Sequence, residues 1–143
     1  MLPLAGITVV TLEHAIAAPF ATRQLADLGA RVIKIERPGV GDFARGYDQR
    51  VRGLSSHFVW TNRSKESLTL DVKHPEAQAV LMRLILEQAD VVVQNLAPGA
   101  AARLGLSYAA LYAKPRTCAP GSSRRTRSSS SVAISGPCTI RPG

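Results

Sequence analysis

The chain has 143 residues and 15.3 kDa, enough for one domain, and its 45% apolar and 20% charged residues are those of a globular protein rather than a fibrous or wholly disordered one. No run approaches the ~18 apolar residues of a membrane helix, residues 1–6 have neither the basic start nor the long apolar stretch of a signal peptide, and two cysteines, Cys118 and Cys138, are too few for a disulfide scaffold or a four-cysteine zinc site. The net charge of +8 points to nucleic acid only until it is divided: residues 1–114 carry +3, whereas residues 115–143 carry five arginines, no acid and no aromatic ring on which a base could stack.

Ile7 to Leu12 is rich in β-branched residues and reads as a strand. Pro19 fits the first turn of a following helix, with Phe20, Gln24, Leu25 and Leu28 as its inward stripe and Gly29 as its stop. Arg31 to Glu36 is a second strand. Strand, helix and strand with short links predict a right-handed βαβ unit with parallel strands. Residues 37 to about 57 have no period but hold several glycines and arginines, and so long a connection usually has a function. Ser56 to Trp60 packs as a short helix or strand, with Trp60 as a core residue. Asn62 to Lys65 turns the chain, and Ser67 to Asp71 alternates as a strand.

Pro75 opens a helix reaching Ala89, with Ala77, Val80, Leu81, Leu84 and Ile85 on its apolar face. The valines of 90–95 suit a strand covered on both faces. Pro98-Gly99 leads into a short helix ending near Gly105, and Tyr108, Leu111 and Tyr112 mark another. Repeated strand–helix alternation predicts an α/β fold, a Rossmann-like, mostly parallel sheet with helices. Composition changes abruptly after Lys114. Residues 115–143 are expected to form a disordered Arg/Ser/Pro-rich tail, of the kind a change of reading frame produces.

Ligands of such sheets bind at the carboxyl ends of the strands. Here those are residues 13–19, 37–52, 71–74 and 95–99. Neither a Walker A motif nor GxGxxG is present; Gly39-Val40-Gly41 lacks the third glycine, although Glu36 stands where an acid can bind a ribose hydroxyl. Arg37, Arg45, Lys65, Lys73 and Arg103 lie in or beside these loops, a set of cations suited to a ligand with several phosphates. His14 is either a ligand contact or a structural histidine. Asp42 is expected to hold a neighbouring arginine. His57 and His74 have no partners at metal-ligand spacing.

Four segments in order carry a family resemblance. They are Leu4 to Val10 running on through Ala18-Pro19-Phe20 to Glu36; Glu36-Arg37-Pro38-Gly39-Val40-Gly41-Asp42 with Arg45; Asn62 to Asp71; and Asp90 to Gly99 with Arg103-Leu104-Gly105. Together they make residues 4 to about 114 resemble the N-terminal part of a family III CoA-transferase, the group that includes formyl-CoA transferase, carnitine CoA-transferase and α-methylacyl-CoA racemase. The resemblance implies a sheet incomplete relative to the family fold. It implies a CoA pocket in which Ile16 and Ala17 lie near the thioester, Arg37 near the adenosine and its phosphate, Leu70, Lys73, Asn95 and Leu96 along the nucleotide, and Arg103 at a phosphate. Formyl-CoA transferases have glutamine where Ile16 stands; isoleucine cannot donate a hydrogen bond, which disfavours formyl transfer to oxalate.

The implied reaction moves CoA between an acyl-CoA and a carboxylic acid, with CoA or acyl-CoA as substrate and no permanent cofactor or metal. It runs through an aspartate nucleophile placed beyond residue 143, so the chain alone is expected to be an inactive copy. A 2-methylacyl-CoA racemase-like fragment and a non-catalytic CoA-binding remnant are the alternatives. Full-length relatives form interlocked homodimers. Nucleic acid and membrane are not expected partners, and the expected location is the cytoplasm.

Overall fold

In a computed structural model, residues 1–114 are described, together with the backbone of two short strands, Arg116–Thr117 and Cys138–Thr139, that pair in parallel. The rest of residues 115–143, the stretch expected to form a disordered tail, lies outside the described residues. The ordered elements are β1 (Thr8–Leu12), α1 (Ala17–Asp27), β2 (Arg31–Glu36), a 3-10 turn (Phe43–Gly46), α2 (Ser56–Asn62), β3 (Glu66–Thr69), α3 (Pro75–Glu87), β4 (Val91–Gln94), α4 (Ala100–Arg103) and α5 (Tyr108–Tyr112). All four strands are parallel, in the order β3-β2-β1-β4. The chain therefore builds outward from β1 through β2 to β3, then crosses back to add β4 on the other side of β1. That reversal makes the gap between the carboxyl ends of β1 and β4 the topological switch point, where α/β sheets place ligands.

Alternation along the strands separates two unlike faces. Val10, Leu12, Ile33 and Ile35 point to one side and are covered by Leu81 and Ile85 of α3 and by Leu106 and Leu111 beyond β4. On the other side Val9 and Val32 pack against Ala26 and Ala30, with Leu25 beside them. This second face turns polar toward the carboxyl edge: Thr11 is paired with Lys34, and Glu13 and Glu36 continue the two rows. All four are buried.

Both strands of the first βαβ unit lie where expected, and β2 has the expected bounds. The face of α1 does not. Pro19, Thr22 and Ala26 are buried, whereas Phe20 and Leu28 are exposed. The helix is rotated because Thr22 must reach Glu13, as described below. Trp60 is also outside the core and stacks on Phe20, with the Arg23 guanidinium against both rings. β3 begins and ends earlier than expected, at Glu66 and Thr69. On α3, Leu81 and Ile85 are buried and Val80 faces out. β4 is only half-buried because it has a neighbour on one side alone among the described strands. Gly29 ends α1 at φ +101°, and a Cβ there would meet Leu2 Cβ at 2.5 Å, so only glycine fits this corner.

Candidate functional site

The carboxyl edge is organised by a chain of buried charges on the α1 side of the sheet. Glu13, the residue after β1, is fully buried and accepts from the Thr22 hydroxyl and from Lys65 Nζ at 2.7 Å. Lys65 also donates to the Pro19 carbonyl at 2.8 Å and to Asn62 Oδ1 at 3.2 Å, so all three ammonium protons have acceptors. The same Asn62 oxygen accepts from Lys34 Nζ at 2.9 Å, and Lys34 reaches Asp42 Oδ2 at 2.6 Å. Lys34 comes from the middle of β2. Its long side chain carries the charge from the sheet interior to the loop that follows the strand.

Asp42 is the junction. Its Oδ1 accepts from Ala44 N–H at 2.9 Å, capping the 3-10 turn, and from Ala15 N–H at 3.2 Å, holding the loop after β1. Its own N–H donates to Glu36 Oε2 at 3.2 Å. Glu36 is gripped by both Nε and Nη2 of Arg45, at 2.9 and 2.8 Å, and accepts from Ser67. The Arg45 guanidinium lies on the Phe58 ring at 3.8 Å from its centroid. A Cβ on Gly41, whose φ is +60°, would come within 2.6 Å of Glu36 Oε2 and 2.9 Å of Arg45 Nε; this glycine lets the ion pair close beneath the backbone.

The loop after β1 is fixed from two sides. His14 N–H donates to Asn95 Oδ1 and Asn95 Nδ2 donates back to the His14 carbonyl, each at 2.9 Å, which joins the ends of β1 and β4 across the switch point. Ala15 has φ +65°, a left-handed conformation that costs a non-glycine residue about 1–3 kcal/mol. The His14 ring stacks on Phe43, and its Nδ1 is buried without a hydrogen bond, 3.9 Å from Asp42 Oδ1.

These surroundings set the protonation states. Burial lowers the His14 pKa below its ordinary 6.5, Asp42 opposes this, and Arg37 and Lys34 add to it. Burial works against ionised Asp42 and Glu36, but Lys34 with the Ala44 and Ala15 amides, and Arg45 with Ser67, outweigh it and hold both carboxyls below their ordinary values. Burial also pulls the Lys65 ammonium down, with Glu13 opposing it.

The sign for stability is the same for His14 and the two carboxylates. Each binds its proton more readily in the unfolded chain, so stability falls as pH falls. We expect a loss that begins below pH 6.5, where unfolded His14 charges, and steepens below about 4.5, where unfolded Glu36 and then Asp42 protonate. Urea midpoints measured from pH 8 to 3 check this. His14→Asn removes the upper part of the slope and leaves the lower part.

The expected ligand residues are distributed around one edge. Ile16 is the N-cap of α1 and Ala17 its first residue, and both are exposed. Arg37 follows β2 and is exposed, with no ion pair among the described residues. Leu70 and Lys73 follow β3, Asn95 and Leu96 follow β4, and Arg103 closes α4. Lys73 and Arg103 are exposed, and the Arg103 guanidinium lies beside Gly99. Leu70 and Leu96 pack partly against the α3-side core. Asn95 uses its amide to clamp His14.

Four readings change. Glu36 is held by Arg45 and Ser67 and is not free for a ribose. Lys65 is buried against Glu13, and Arg45 is paired with Glu36, so neither belongs to a free phosphate-binding set. Asp42 holds a lysine, Lys34, because the arginine nearby is taken by Glu36. Only a charge just past the first apolar strand and another within the second mark Glu13 and Lys34 in the sequence. Among the described residues no three His, Cys, Asp or Glu side chains gather into a metal site, and no helix is long and apolar enough to cross a membrane.

A parallel sheet with a switch point, exposed cations on its rim and a clamped first loop is the architecture of an α/β protein of the kind that places ligands at the carboxyl ends of its strands. The sequence model of CoA-transferase family III matches residues 4–116, and the chain belongs to that family. It is 42% identical over 106 residues to the acetyl-CoA:oxalate CoA-transferase of Acetobacter aceti, covering 74% of this chain and 27% of that protein. It is 39% identical over 107 residues to the human succinyl-CoA:glutarate CoA-transferase, covering 74% and 24%. The crystal structure of a CAIB/BAIF family protein from Brucella suis superposes with a TM-score of 0.72 at 35% identity, over 82% of this chain and 32% of that one. The chain thus spans about a quarter of the length of the curated relatives it matches.

Proposed function

We propose that this chain forms the CoA-binding part of an enzyme that moves CoA between an acyl-CoA thioester and a carboxylic acid. The observation that carries the reading is the placement of Ile16-Ala17, Arg37, Leu70, Lys73, Asn95-Leu96 and Arg103 along the carboxyl edge of one parallel sheet whose switch point lies between β1 and β4. The reading gives phosphates to Arg37, Lys73 and Arg103, which have no ion pair among the described residues, and the acyl end to the loop at Ile16 and Ala17. Covalent chemistry belongs to an aspartate outside this part. The relatives' names, which pair an acyl-CoA with a dicarboxylate, favour transfer over the racemase reading. An apolar Ile16 favours an acyl group with a hydrocarbon chain over formyl. A cytoplasmic setting, where CoA thioesters are made and used, and a dimer of the complete enzyme go with this reading.

Calorimetric titration of the chain with CoA tests it. Arg37→Ala and Arg103→Ala are each expected to weaken CoA about tenfold, the loss of one charge-assisted contact of about 1.4 kcal/mol, and to flatten the dependence on salt. Affinity that ignores both substitutions and salt would contradict the assignment.

A further inference from the structure

The buried charges do more than fill the α1 side of the sheet, because one of them ends on the loop that faces the switch point. Asp42 is fully buried, yet its Oδ1 reaches out of its own loop to the Ala15 amide at 3.2 Å. Ala15 is left-handed at φ +65°. It is followed by Ile16 and Ala17, which enter α1 at the crevice. On its other side stands His14, whose two backbone groups are fixed by Asn95.

The ring of His14 is oriented as well. Nδ1 is buried, with no hydrogen bond, and the Asp42 carboxylate is 3.9 Å away. Nε2 makes no hydrogen bond within the described residues, and the side chain is 24% exposed while Nδ1 is buried, so the exposure lies on the Nε2 side of the ring. The groups acting on the ring are Glu13, Lys34, Arg37 and Asp42, with Phe43 stacked on one face. Burial above all, with Arg37 and Lys34, disfavours imidazolium against the pull of Asp42 and Glu13. A neutral imidazole carries one N–H, and beside a carboxylate that proton sits on the nitrogen facing it. The lone pair is then on Nε2, toward solvent.

We propose that Asp42 is a positioning residue of the crevice: it holds Ala15 in the left-handed conformation and selects the Nδ1–H tautomer of His14, so that the loop after β1 presents Nε2 as an acceptor to a hydrogen-bond donor of the bound ligand. Lys34 keeps Asp42 ionised, and Asn62 ties Lys34 to Lys65 and Glu13, so the loop is held at both ends by one network. On the CoA reading, on which the ligand's identity rests, the donor is an amide N–H of the pantetheine arm beside Ile16 and Ala17.

Nuclear magnetic resonance on the isotopically labelled 143-residue chain tests the proposal without any ligand. The His14 ring shifts are expected to show the Nδ1–H tautomer, and the Ala15 amide to exchange slowly. Asp42→Asn is expected to raise the Nε2–H population and to speed Ala15 exchange at least tenfold. Where Asp42→Asn fails to fold, the wild-type tautomer alone decides, since Nε2–H in the wild type overturns the proposal. Ala15→Gly provides a second readout: glycine tolerates the left-handed conformation, so exchange at residue 15 should depend less on Asp42 in that background. An unchanged tautomer and unchanged exchange in folded Asp42→Asn would also overturn it. Acetyl-CoA is the probe for the ligand. Asp42→Asn should weaken it about tenfold, and absence of acetyl-CoA binding by a wild type that shows the expected tautomer overturns the CoA reading and leaves the positioning role standing.

Discussion

Glu13→Ala is expected to lower the stability of the chain by about 3–5 kcal/mol, the range for breaking one partner out of a buried ion pair. Both Glu13 and Lys65 are essentially sealed from water, at 0% and 2% side-chain exposure. Removing the carboxylate leaves an ammonium with only the Pro19 and Asn62 oxygens, and the Thr22 hydroxyl without its carboxylate. Against a total of about 5–15 kcal/mol for a small domain, this is enough to unfold much of the population. Urea unfolding followed by circular dichroism measures it. Glu13→Gln combined with Lys65→Met should recover much of the loss, because the desolvation penalty of both charges disappears with them. A drop below about 1 kcal/mol in Glu13→Ala would show that the pair is solvated.

Leu81→Ala is expected to cost about 2–5 kcal/mol by a different route, through lost transfer energy and the cavity left behind. Leu81 is 2% exposed at the centre of the α3-side core, against Val10, Ile33 and Ile35 of the sheet. Because Glu13 lies on the opposite face, the two losses should nearly add where both can be measured. The charged face should also be left in place: in folded Leu81→Ala the His14 ring resonances keep their positions, whereas in Glu13→Ala they move. Equal disturbance of His14 by both substitutions would show that the two faces form one coupled core.

The elements that hydropathy specifies strongly were readable. Ile33 and Ile35 of β2 and the valines of β4 could only be strand. Pro75 and the Ala77-to-Ile85 spacing could only begin and fill a helix, and the helix starts at Pro75 as expected. The rotation of α1 was not readable, because its cause is distant: Thr22 turns inward to serve Glu13, which takes Phe20 out of the core. Hydrophobic spacing cannot register a hydroxyl wanted by a buried acid. Lys34 was hidden for the same reason, since a lysine inside a strand is solvated in most sheets, and here it is buried at 1% exposure because Asp42 and Asn62 meet its ammonium.

The site divides along the same line. That Arg37, Lys73 and Arg103 stand exposed on the rim was readable, because a rim cation needs only to follow a strand or lie in a helix beside it. Arg45 and Lys65 have the same chemistry and the same sequence context, and only the three-dimensional position of Glu36 and Glu13 removes them from the ligand set. Asn95 was placed at the right edge, but its amide joins the β1 and β4 loops instead of standing free. Asp42 followed a glycine turn and resembled any loop acid; its reach back to Ala15 exists only once β1 and β2 lie side by side.

The most direct measurement is a titration of the labelled chain with CoA, followed by backbone amide resonances. Saturable shifts are expected at residues 13–17, 37–42, 70–73, 95–99 and around Arg103, all on the carboxyl edge, with the α3-side core unmoved. A folded chain whose amides do not move at millimolar CoA, or move at the opposite edge of the sheet, would contradict it.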